Sequence, residues 1–160
     1  MALGSSYASG PGLPDIVDTS CSRSAHNYPH QVATATGLDL VDVSCGGATT
    51  ANILDTPQHT PDGAVVPVQI DAVTDDTRLV TITIGGNDLN LVGSMTGASV
   101  CAEYLGVLPG VCETVTGTKQ STQADFDTVE RSITTVGERR ARESTTGDRT
   151  ADPVSARPGG

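Results

Sequence analysis

The hydrophobic residues of this chain follow two spacings, one of which predicts strands and the other helices. Runs rich in Leu, Val and Ile predict strands over residues 38–43 and 79–84. The second run is β-branched almost throughout, and its nearly continuous apolar character is typical of a central strand covered on both faces. After Thr122, spacings of three and four predict an amphipathic helix whose apolar face is Phe126, Val129, Ile133 and Val136.

Two shorter helices are predicted from the residues at their boundaries. The first covers residues 26–35, with Pro29 in its first turn and Gly37 in a position to stop it. The second follows the glycine-containing turn at residues 45–48 and includes Ala51, Ile53 and Leu54.

Small and polar residues fill the segments between these elements. Residues 1–3 and the small-residue run 4–12 predict the end of a strand that enters a loop, and residues 55–67, rich in Pro, Thr and Asp, predict a surface loop. Strands that alternate with helices predict an α/β fold with a mainly parallel sheet.

The regular pattern ends at about Arg139. The residues beyond it are mostly Arg, Glu, Thr, Gly, Asp and Pro, and they cannot supply the further strands that such a sheet needs. We therefore expect a domain over residues 1–137 that is C-terminally incomplete, and a tail over residues 138–160 that is disordered or translated out of frame. The out-of-frame hypothesis predicts that a neighbouring reading frame encodes an apolar strand further downstream.

The chain of 160 residues has the size of one domain, and its composition disfavours several functions. We expect a core of Val, Ile, Leu and Ala and no stacking platform for single-stranded nucleic acid, because aromatic residues are few. The aromatic residues are Tyr7, Tyr28, Tyr104 and Phe126. The formal net charge is −10, and residues 1–128 carry 14 acidic and 3 basic side chains. Such a surface repels phosphate backbones and anionic lipid, so nucleic-acid binding and membrane attachment are disfavoured.

No run approaches the ~20 apolar residues of a membrane span.

The chain has four cysteines, Cys21, Cys45, Cys101 and Cys112, without the C-x-x-C spacing of a zinc or redox motif. We expect two disulfides, for which the sequence permits three pairings. Cys101 and Cys112 bracket a short loop with Gly and Pro, which favours their pairing and that of Cys21 with Cys45. Disulfides indicate an oxidising compartment, although the N-terminus has no charged region followed by the apolar core of an export signal.

Three short blocks resemble those of a known enzyme family. Residues 4–10 read G-S-S-Y-A-S-G, residues 45–49 read C-G-G-A-T and residues 84–88 read I-G-G-N-D. In this order and spacing they are similar to the blocks of the secreted actinobacterial branch of the GDSL/SGNH hydrolases, as are the N-Y-P-H run at 27–30 and the cysteine positions. The resemblance covers about residues 1–137. It implies a three-layer α/β/α, flavodoxin-like fold and an esterase or lipase acting on acyl esters.

The resemblance assigns chemical roles to three residues. Ser6, after a strand and before a helix, would be the nucleophile that forms an acyl-enzyme. The oxyanion would be held by the backbone N–H of Ser6, the N–H of Gly47 and the side-chain amide of Asn87. Each residue also has a simpler interpretation, namely a loop serine, a turn glycine and an Asx turn. Asp88 is expected to cap or brace its loop.

The chain departs from the family pattern at two places that matter for activity. Ser5 stands where the family has the aspartate of G-D-S, which bears on the geometry of the loop. The family's D-x-x-H block, which supplies the general base, has no match, because no histidine follows His59. Loss of a triad histidine costs about a million-fold in rate, against about 10²- to 10³-fold for one oxyanion donor. We therefore expect an ester hydrolase that is inactive or impaired; the alternatives are a non-catalytic secreted binding module and a truncated gene product without function.

The three histidines, His26, His30 and His59, are the candidate metal ligands. His26 and His30 have the i, i+4 spacing of a helical metal pair, but Pro29 lies between them and no companion ligand is nearby, so we expect no metal site. His30 matches a position that the family uses structurally. The resemblance implies no cofactor and a small-molecule or lipid ester as substrate, and together with the cysteines it implies an extracellular location. We also expect a monomer and, from the acidic body and the lack of an apolar span, no stable membrane insertion.

Overall fold

The structure is a computed structural model that describes residues 1–91, 93 and 122–147, with the backbone alone for residues 139–147. Cys101, Tyr104 and Cys112 lie outside the described residues. In chain order the described residues form β1 (Ala2–Gly4), α1 (Ser6–Ser9), β2 (Ile16–Asp18), β3 (Arg23–Ser24), α2 (Tyr28–Thr36), α3 (Thr50–Leu54), β4 (Gln58–His59), β5 (Val65–Val66), a 3-10 helix (Gln69–Ala72), β6 (Thr81–Thr83) and α4 (Gln123–Gly147).

The sheet that carries the candidate site is parallel. β1 and β6 pair in parallel with Leu3 opposite Ile82, and a third segment runs along the other edge of β1. There the Ala2 N–H donates to the Val41 carbonyl, and the Val43 N–H donates to the Ala2 carbonyl. Parallel pairing with helices between the paired segments is an α/β arrangement, so the predicted fold class is confirmed.

The strand predicted over residues 38–43 is wrong in its extent. The segment makes one isolated parallel bridge, between Ala2 and Asp42. The next donor along that edge of β1 is the N–H of Gly4, and it bonds to the side chain of Gln69. The backbone bonding is therefore interrupted at the Gly4 N–H, because its partner is a side chain from a distant part of the sequence, and it resumes where the Cys45 N–H donates to the Gly4 carbonyl.

The predicted strand at 79–84 is shorter and less covered than its sequence indicates. It is limited to Thr81–Thr83, and within the described ranges it pairs with β1 alone. Ile82 is 37% exposed, so in the part of the chain that the structure describes β6 is not covered on both faces, although its apolar run predicts a covered central strand. An apolar run favours strand formation, but the cover on each face depends on other parts of the chain.

The two predicted short helices are confirmed, and their boundaries follow from capping. α2 begins after Asn27, whose side-chain oxygen accepts the His30 N–H at 3.2 Å, and it ends at Gly37, which has φ +68°. α3 begins after Thr49, whose N–H donates to the side chain of Asn52 at 2.9 Å. Sequence predicts these helices well because the capping residues lie within one turn of each end.

The long predicted helix, α4, is also confirmed. It begins where the Thr122 N–H donates to the Asp125 carboxylate at 2.7 Å. Val136 is buried at 1% exposure, whereas Phe126 and Ile133 are 46% and 44% exposed. The backbone is helical to residue 147, beyond the domain boundary proposed at residue 137, and that boundary stays a prediction. None of the helices in the described ranges combines the length and the apolar character needed to cross a membrane.

The core is aliphatic, as the scarcity of aromatic residues predicts. Leu3, Ile53, Ile70 and Val136 form one buried cluster. They join β1, α3, the 3-10 helix and α4, and burial of each such side chain stabilises the fold by about 1.5–3 kcal/mol. The cluster thereby holds β1 against α3, the helix that follows the second block.

The surface loop predicted over residues 55–67 is wrong in part, because this segment contains a hairpin. β4 and β5 pair in antiparallel register with Gln58 opposite Val66. The connecting residues 60–64 read T-P-D-G-A, and the Thr60 N–H donates to the Ala64 carbonyl at 3.0 Å. Pro-Asp-Gly is a turn signal with a known mechanism, and together with the apolar residues that follow it, it could have predicted this hairpin.

The first predicted disulfide is confirmed. Cys21 and Cys45 are bonded, and the Gly46 N–H donates to the Cys21 carbonyl at 2.8 Å. The bond ties the loop after β2 to the second sequence block. The second predicted disulfide, between Cys101 and Cys112, lies outside the described residues.

Candidate active site

The three sequence blocks leave the sheet at the same edge. Ser6 follows β1, Gly47 follows the parallel segment beside β1, and Asn87 follows β6. The carboxyl ends of parallel strands share one edge of a sheet, which is where ligands bind in open α/β folds. The three predicted site residues are therefore brought to one side of the fold by the parallel pairing.

Hydrogen bonds join the three blocks directly. The Ser5 N–H donates to the Thr83 carbonyl at 3.0 Å, which links the first block to the end of β6. The Cys45 N–H donates to the Gly4 carbonyl at 3.0 Å, which links the second block to the first. The meeting of the hydroxyl of Ser6, the amide of Gly47 and the carboxamide of Asn87 at one point stays a prediction.

Ser6 is the first residue of α1, immediately after the sharp turn that ends β1. The turn depends on Gly4, which has φ +148°. A Cβ atom on Gly4 would lie 2.5 Å from the Thr83 carbonyl oxygen, so no other residue fits there without a shift of the backbone. Ser5 is buried, Ser6 is half-buried, and the neighbouring Tyr7 is 77% exposed. The turn thus presents residue 6 close to solvent on a closely packed support.

Gly47 lies in an exposed turn with φ +82°, the left-handed region that favours glycine. The turn is held from two sides. The Gly46 N–H bonds to the Cys21 carbonyl, and the Gly46 carbonyl accepts a 2.7 Å hydrogen bond from the side-chain amide of Gln58. Gln58 is buried, so this turn is fixed by a side chain from the β4–β5 hairpin.

Asn87 and Asp88 bind the third block to the second. The Asn87 amide donates to the Ala48 carbonyl at 2.8 Å, and because a side-chain amide has two N–H donors, the second can serve another acceptor. The carboxylate of Asp88 accepts hydrogen bonds from the N–H and the hydroxyl of Thr50, at 3.0 and 2.5 Å. The expectation that Asp88 braces its loop is therefore confirmed.

The N-Y-P-H run has a structural role in which Asn27 is central. The side-chain oxygen of Asn27 accepts a hydrogen bond from the ring Nδ1 of His30 at 2.6 Å, and the side-chain NH₂ of Asn27 donates to the Asp42 carboxylate at 2.7 Å. The same amide contacts the Ser9 carbonyl at 3.3 Å. Asn27 thus connects α1, α2 and the segment beside β1.

The histidines do not form a metal site in the part of the chain that the structure describes. His26 lies 2.7 Å from Asp15, and both side chains are exposed. His59, on β4, is also exposed. Within residues 1–91, 93 and 122–138, no three His, Cys, Asp or Glu side chains form a group that could hold a metal ion.

Sequence reasoning missed two buried glutamines that contact the site. Gln58 bonds to Gly46, and Gln69 bonds to both the N–H and the carbonyl of Gly4. The polar residues around Gln58 predict a surface loop. Gln69 bonds to a residue 65 positions away, and nothing in its local sequence indicates that contact.

Comparisons with known proteins find one family model and several lipases that this chain resembles. Residues 2–148 match the GDSL-like lipase/acylhydrolase family. The chain is 39% identical to Lipase 2 of Streptomyces coelicolor over 131 residues, which cover 80% of this chain and 43% of that protein. It is 37% identical to a lipase of Streptomyces rimosus over 106 residues, which cover 64% of this chain and 35% of that protein. The chain therefore spans less than half the length of these curated relatives.

Proposed function

Since this chain belongs to the GDSL-like lipase/acylhydrolase family, we propose that it acts on carboxylic esters of acyl or lipid substrates through an acyl-enzyme on Ser6. The Ser6 hydroxyl oxygen loses its proton to a base and attacks the ester carbonyl carbon, the bond from that carbon to the alcohol oxygen breaks, and the alcohol leaves with a proton returned by the base. Water then attacks the acyl group on Ser6 and releases it as the carboxylic acid. The backbone N–H groups of Ser6 and Gly47 and the amide of Asn87 stabilise the negative charge on the carbonyl oxygen.

The observation that carries this proposal is the set of hydrogen bonds between the three blocks. Ser5 bonds to the end of β6, Cys45 bonds to Gly4, and Asn87 bonds to Ala48. These bonds support a single crevice with a hydroxyl, a glycine turn and a carboxamide around it. An ester substrate without charge also suits the excess of acidic residues in the body of the chain.

The general base is the missing part of this machinery. The D-x-x-H block has no counterpart among the 160 residues, and two of the three histidines are engaged elsewhere, His26 with Asp15 and His30 with Asn27. We expect the 160 residues by themselves to turn over slowly, because both acylation and deacylation need a proton acceptor or donor. Removal of a triad histidine lowers the rate of a serine hydrolase by about a million-fold.

We place the protein outside the cytoplasm, as a monomer. The disulfide between Cys21 and Cys45 supports an oxidising compartment, because such bonds are rare where thiols are kept reduced.

The test is covalent trapping of Ser6. The chain is incubated with p-nitrophenyl butyrate in imidazole buffer, where free imidazole accepts the serine proton and p-nitrophenolate is a good leaving group. Because imidazole also attacks this ester directly, the release of p-nitrophenolate without protein is measured and subtracted. We expect one butyryl group per chain, located on Ser6 by peptide mass spectrometry, and no adduct in Ser6→Ala. Slow deacylation makes the adduct easier to detect, because butyryl-Ser6 then accumulates.

Each other result has a distinct meaning. Equal release of p-nitrophenolate by the wild-type chain and Ser6→Ala, without an adduct, would overturn the nucleophile assignment. Ester binding without acylation would favour the binding module instead. Absence of a cooperative thermal transition would indicate a gene product that does not fold stably, and this measurement precedes the others.

A further inference from the structure

The side chain of Gln69 forms two hydrogen bonds with one residue, Gly4. The Gly4 N–H donates to the Gln69 Oε1 at 2.7 Å, and the Gln69 Nε2 donates to the Gly4 carbonyl at 3.0 Å. Gln69 is 2% exposed, so both bonds lie in the protein interior. The amide thus contacts the last residue of β1, two positions before Ser6.

The Gln69 side chain accepts a hydrogen bond that a backbone carbonyl of a neighbouring strand would otherwise accept. Along this edge of β1, the Ala2 N–H bonds to Val41, and the Gly4 carbonyl accepts from Cys45. In a parallel ladder the intervening donor, the Gly4 N–H, would bond to the neighbouring segment, but here it bonds to the side-chain amide. A side chain therefore replaces one backbone partner at the end of β1.

Gly4 needs such support more than an ordinary strand residue does. Its φ of +148° is open to glycine alone, and glycine is also the residue with the greatest backbone freedom. The following residue gives no side-chain help, since Ser5 is the N-cap of α1 but its hydroxyl makes no capping hydrogen bond. The direction of the chain into Ser6 is thus fixed from the Gly4 side.

We propose that Gln69 is the positioning residue of the nucleophile turn: its side-chain amide fixes the Gly4 peptide and thereby the orientation of the Ser6 hydroxyl and N–H. This inference rests on the proposed function. Gln69 touches no reacting atom and acts through Gly4. Its effect is on the geometry of attack, where a misplacement of 1 Å can cost about 100-fold in rate.

Two substitutions separate the two hydrogen bonds. Gln69→Met keeps the length of the side chain and removes both bonds. Gln69→Glu in its ionised form keeps an acceptor for the Gly4 N–H and removes the donor to the Gly4 carbonyl. Gln31→Met is the matched control, because Gln31 is an exposed glutamine on α2 whose amide bonds to His26.

The experiment measures the rate of Ser6 butyrylation in imidazole buffer at several ester concentrations, together with amide hydrogen exchange at Gly4. We expect Gln69→Met to lower the maximal acylation rate about 10- to 100-fold, to leave the half-saturating ester concentration unchanged, and to speed Gly4 exchange. Gln69→Glu is expected to lie between Gln69→Met and the wild-type chain, and Gln31→Met is expected to match wild type.

The outcomes distinguish the two proposals. If the wild-type chain is folded but not acylated, the proposed function fails and this inference fails with it. If the wild-type chain is acylated and both Gln69 variants are folded and react at the maximal rate of the wild-type chain, only the positioning role is overturned. A purely structural role would lower the melting temperature without the selective loss of maximal rate, and that result also overturns the inference. Gln69→Glu keeps the test decisive if Gln69→Met does not fold.

Discussion

The side-chain amide of Asn87 donates a 2.8 Å hydrogen bond to the main-chain carbonyl of Ala48, the residue that follows Gly47. This contact ties the end of the third sequence block to the turn of the second. It leaves one N–H of the Asn87 amide for another acceptor, which is the role expected of an oxyanion donor.

Replacement of Asn87 tests this double role. Asn87→Asp removes both N–H donors and adds a negative charge beside the Ala48 carbonyl. We expect the rate of Ser6 acylation by p-nitrophenyl butyrate to fall about 10²- to 10³-fold. The control is Asn90→Asp, which makes the same chemical change at an exposed position three residues along and should leave the rate unchanged. Equal effects of the two substitutions would show that added charge, not a lost donor, is responsible.

Gly47 and Gly63 provide a matched pair for the oxyanion turn. Their φ angles are +82° and +88°, so an alanine at either position is strained by about 1–2 kcal/mol. A Cβ atom on Gly47 would lie 3.5 Å from the Gln58 amide, which is ordinary contact, and one on Gly63 would meet no atom within 4 Å.

We therefore expect Gly47→Ala and Gly63→Ala to lower the free energy of unfolding by similar amounts, measured by urea denaturation. Only Gly47→Ala should also slow the acylation of Ser6, because only that strain acts on a predicted oxyanion donor. Normal acylation in Gly47→Ala would remove this glycine from the site.

The disulfide between Cys21 and Cys45 should stabilise the fold and the turn before Gly47. It closes a loop with a sequence separation of 24, for which chain-entropy arguments give roughly 3 kcal/mol. We expect the double variant Cys21→Ser, Cys45→Ser to lose about that free energy of unfolding in urea titrations under non-reducing conditions. An unchanged unfolding midpoint would mean that the turn is held by the Gly46 and Gln58 hydrogen bonds alone.

Asp62 makes the β4–β5 hairpin sensitive to acid. The hydroxyl of Ser20, the hydroxyl of Thr60 and the N–H of Ala64 donate hydrogen bonds to its carboxylate and hold its pKa below the usual value of 3.8. Because the pKa in the folded state is the lower one, the ionised group stabilises the fold above the unfolded-state pKa. That contribution is lost as the pH falls through the folded-state pKa.

We expect the difference in melting temperature between the wild-type chain and Asp62→Asn to be present at pH 7 and to shrink as the pH falls below about 4. Asp75→Asn, at another exposed aspartate, serves as the control for loss of one negative charge. A difference that stays constant from pH 7 to the acid range would contradict the linkage.

Some of the fold and site could be predicted from the sequence because the signals act over a few residues. Asn27 and Gly37 bound α2, and Thr122 with Asp125 begins α4, all through contacts within one turn of the helix. The order of the three blocks likewise identified the loops at the carboxyl edge of the sheet.

The amino-acid sequence by itself predicted the α/β fold class, the aliphatic core and the family of the protein, and it favoured the Cys21–Cys45 bond among three possible pairings. Only the tertiary structure decided that β6 leaves Ile82 over a third exposed and that the side chain of Gln69 takes the place of a strand partner on Gly4. Local preference and capping depend on neighbours in sequence. Burial of a polar side chain depends on which distant backbone groups still lack a partner once the chain has closed on itself.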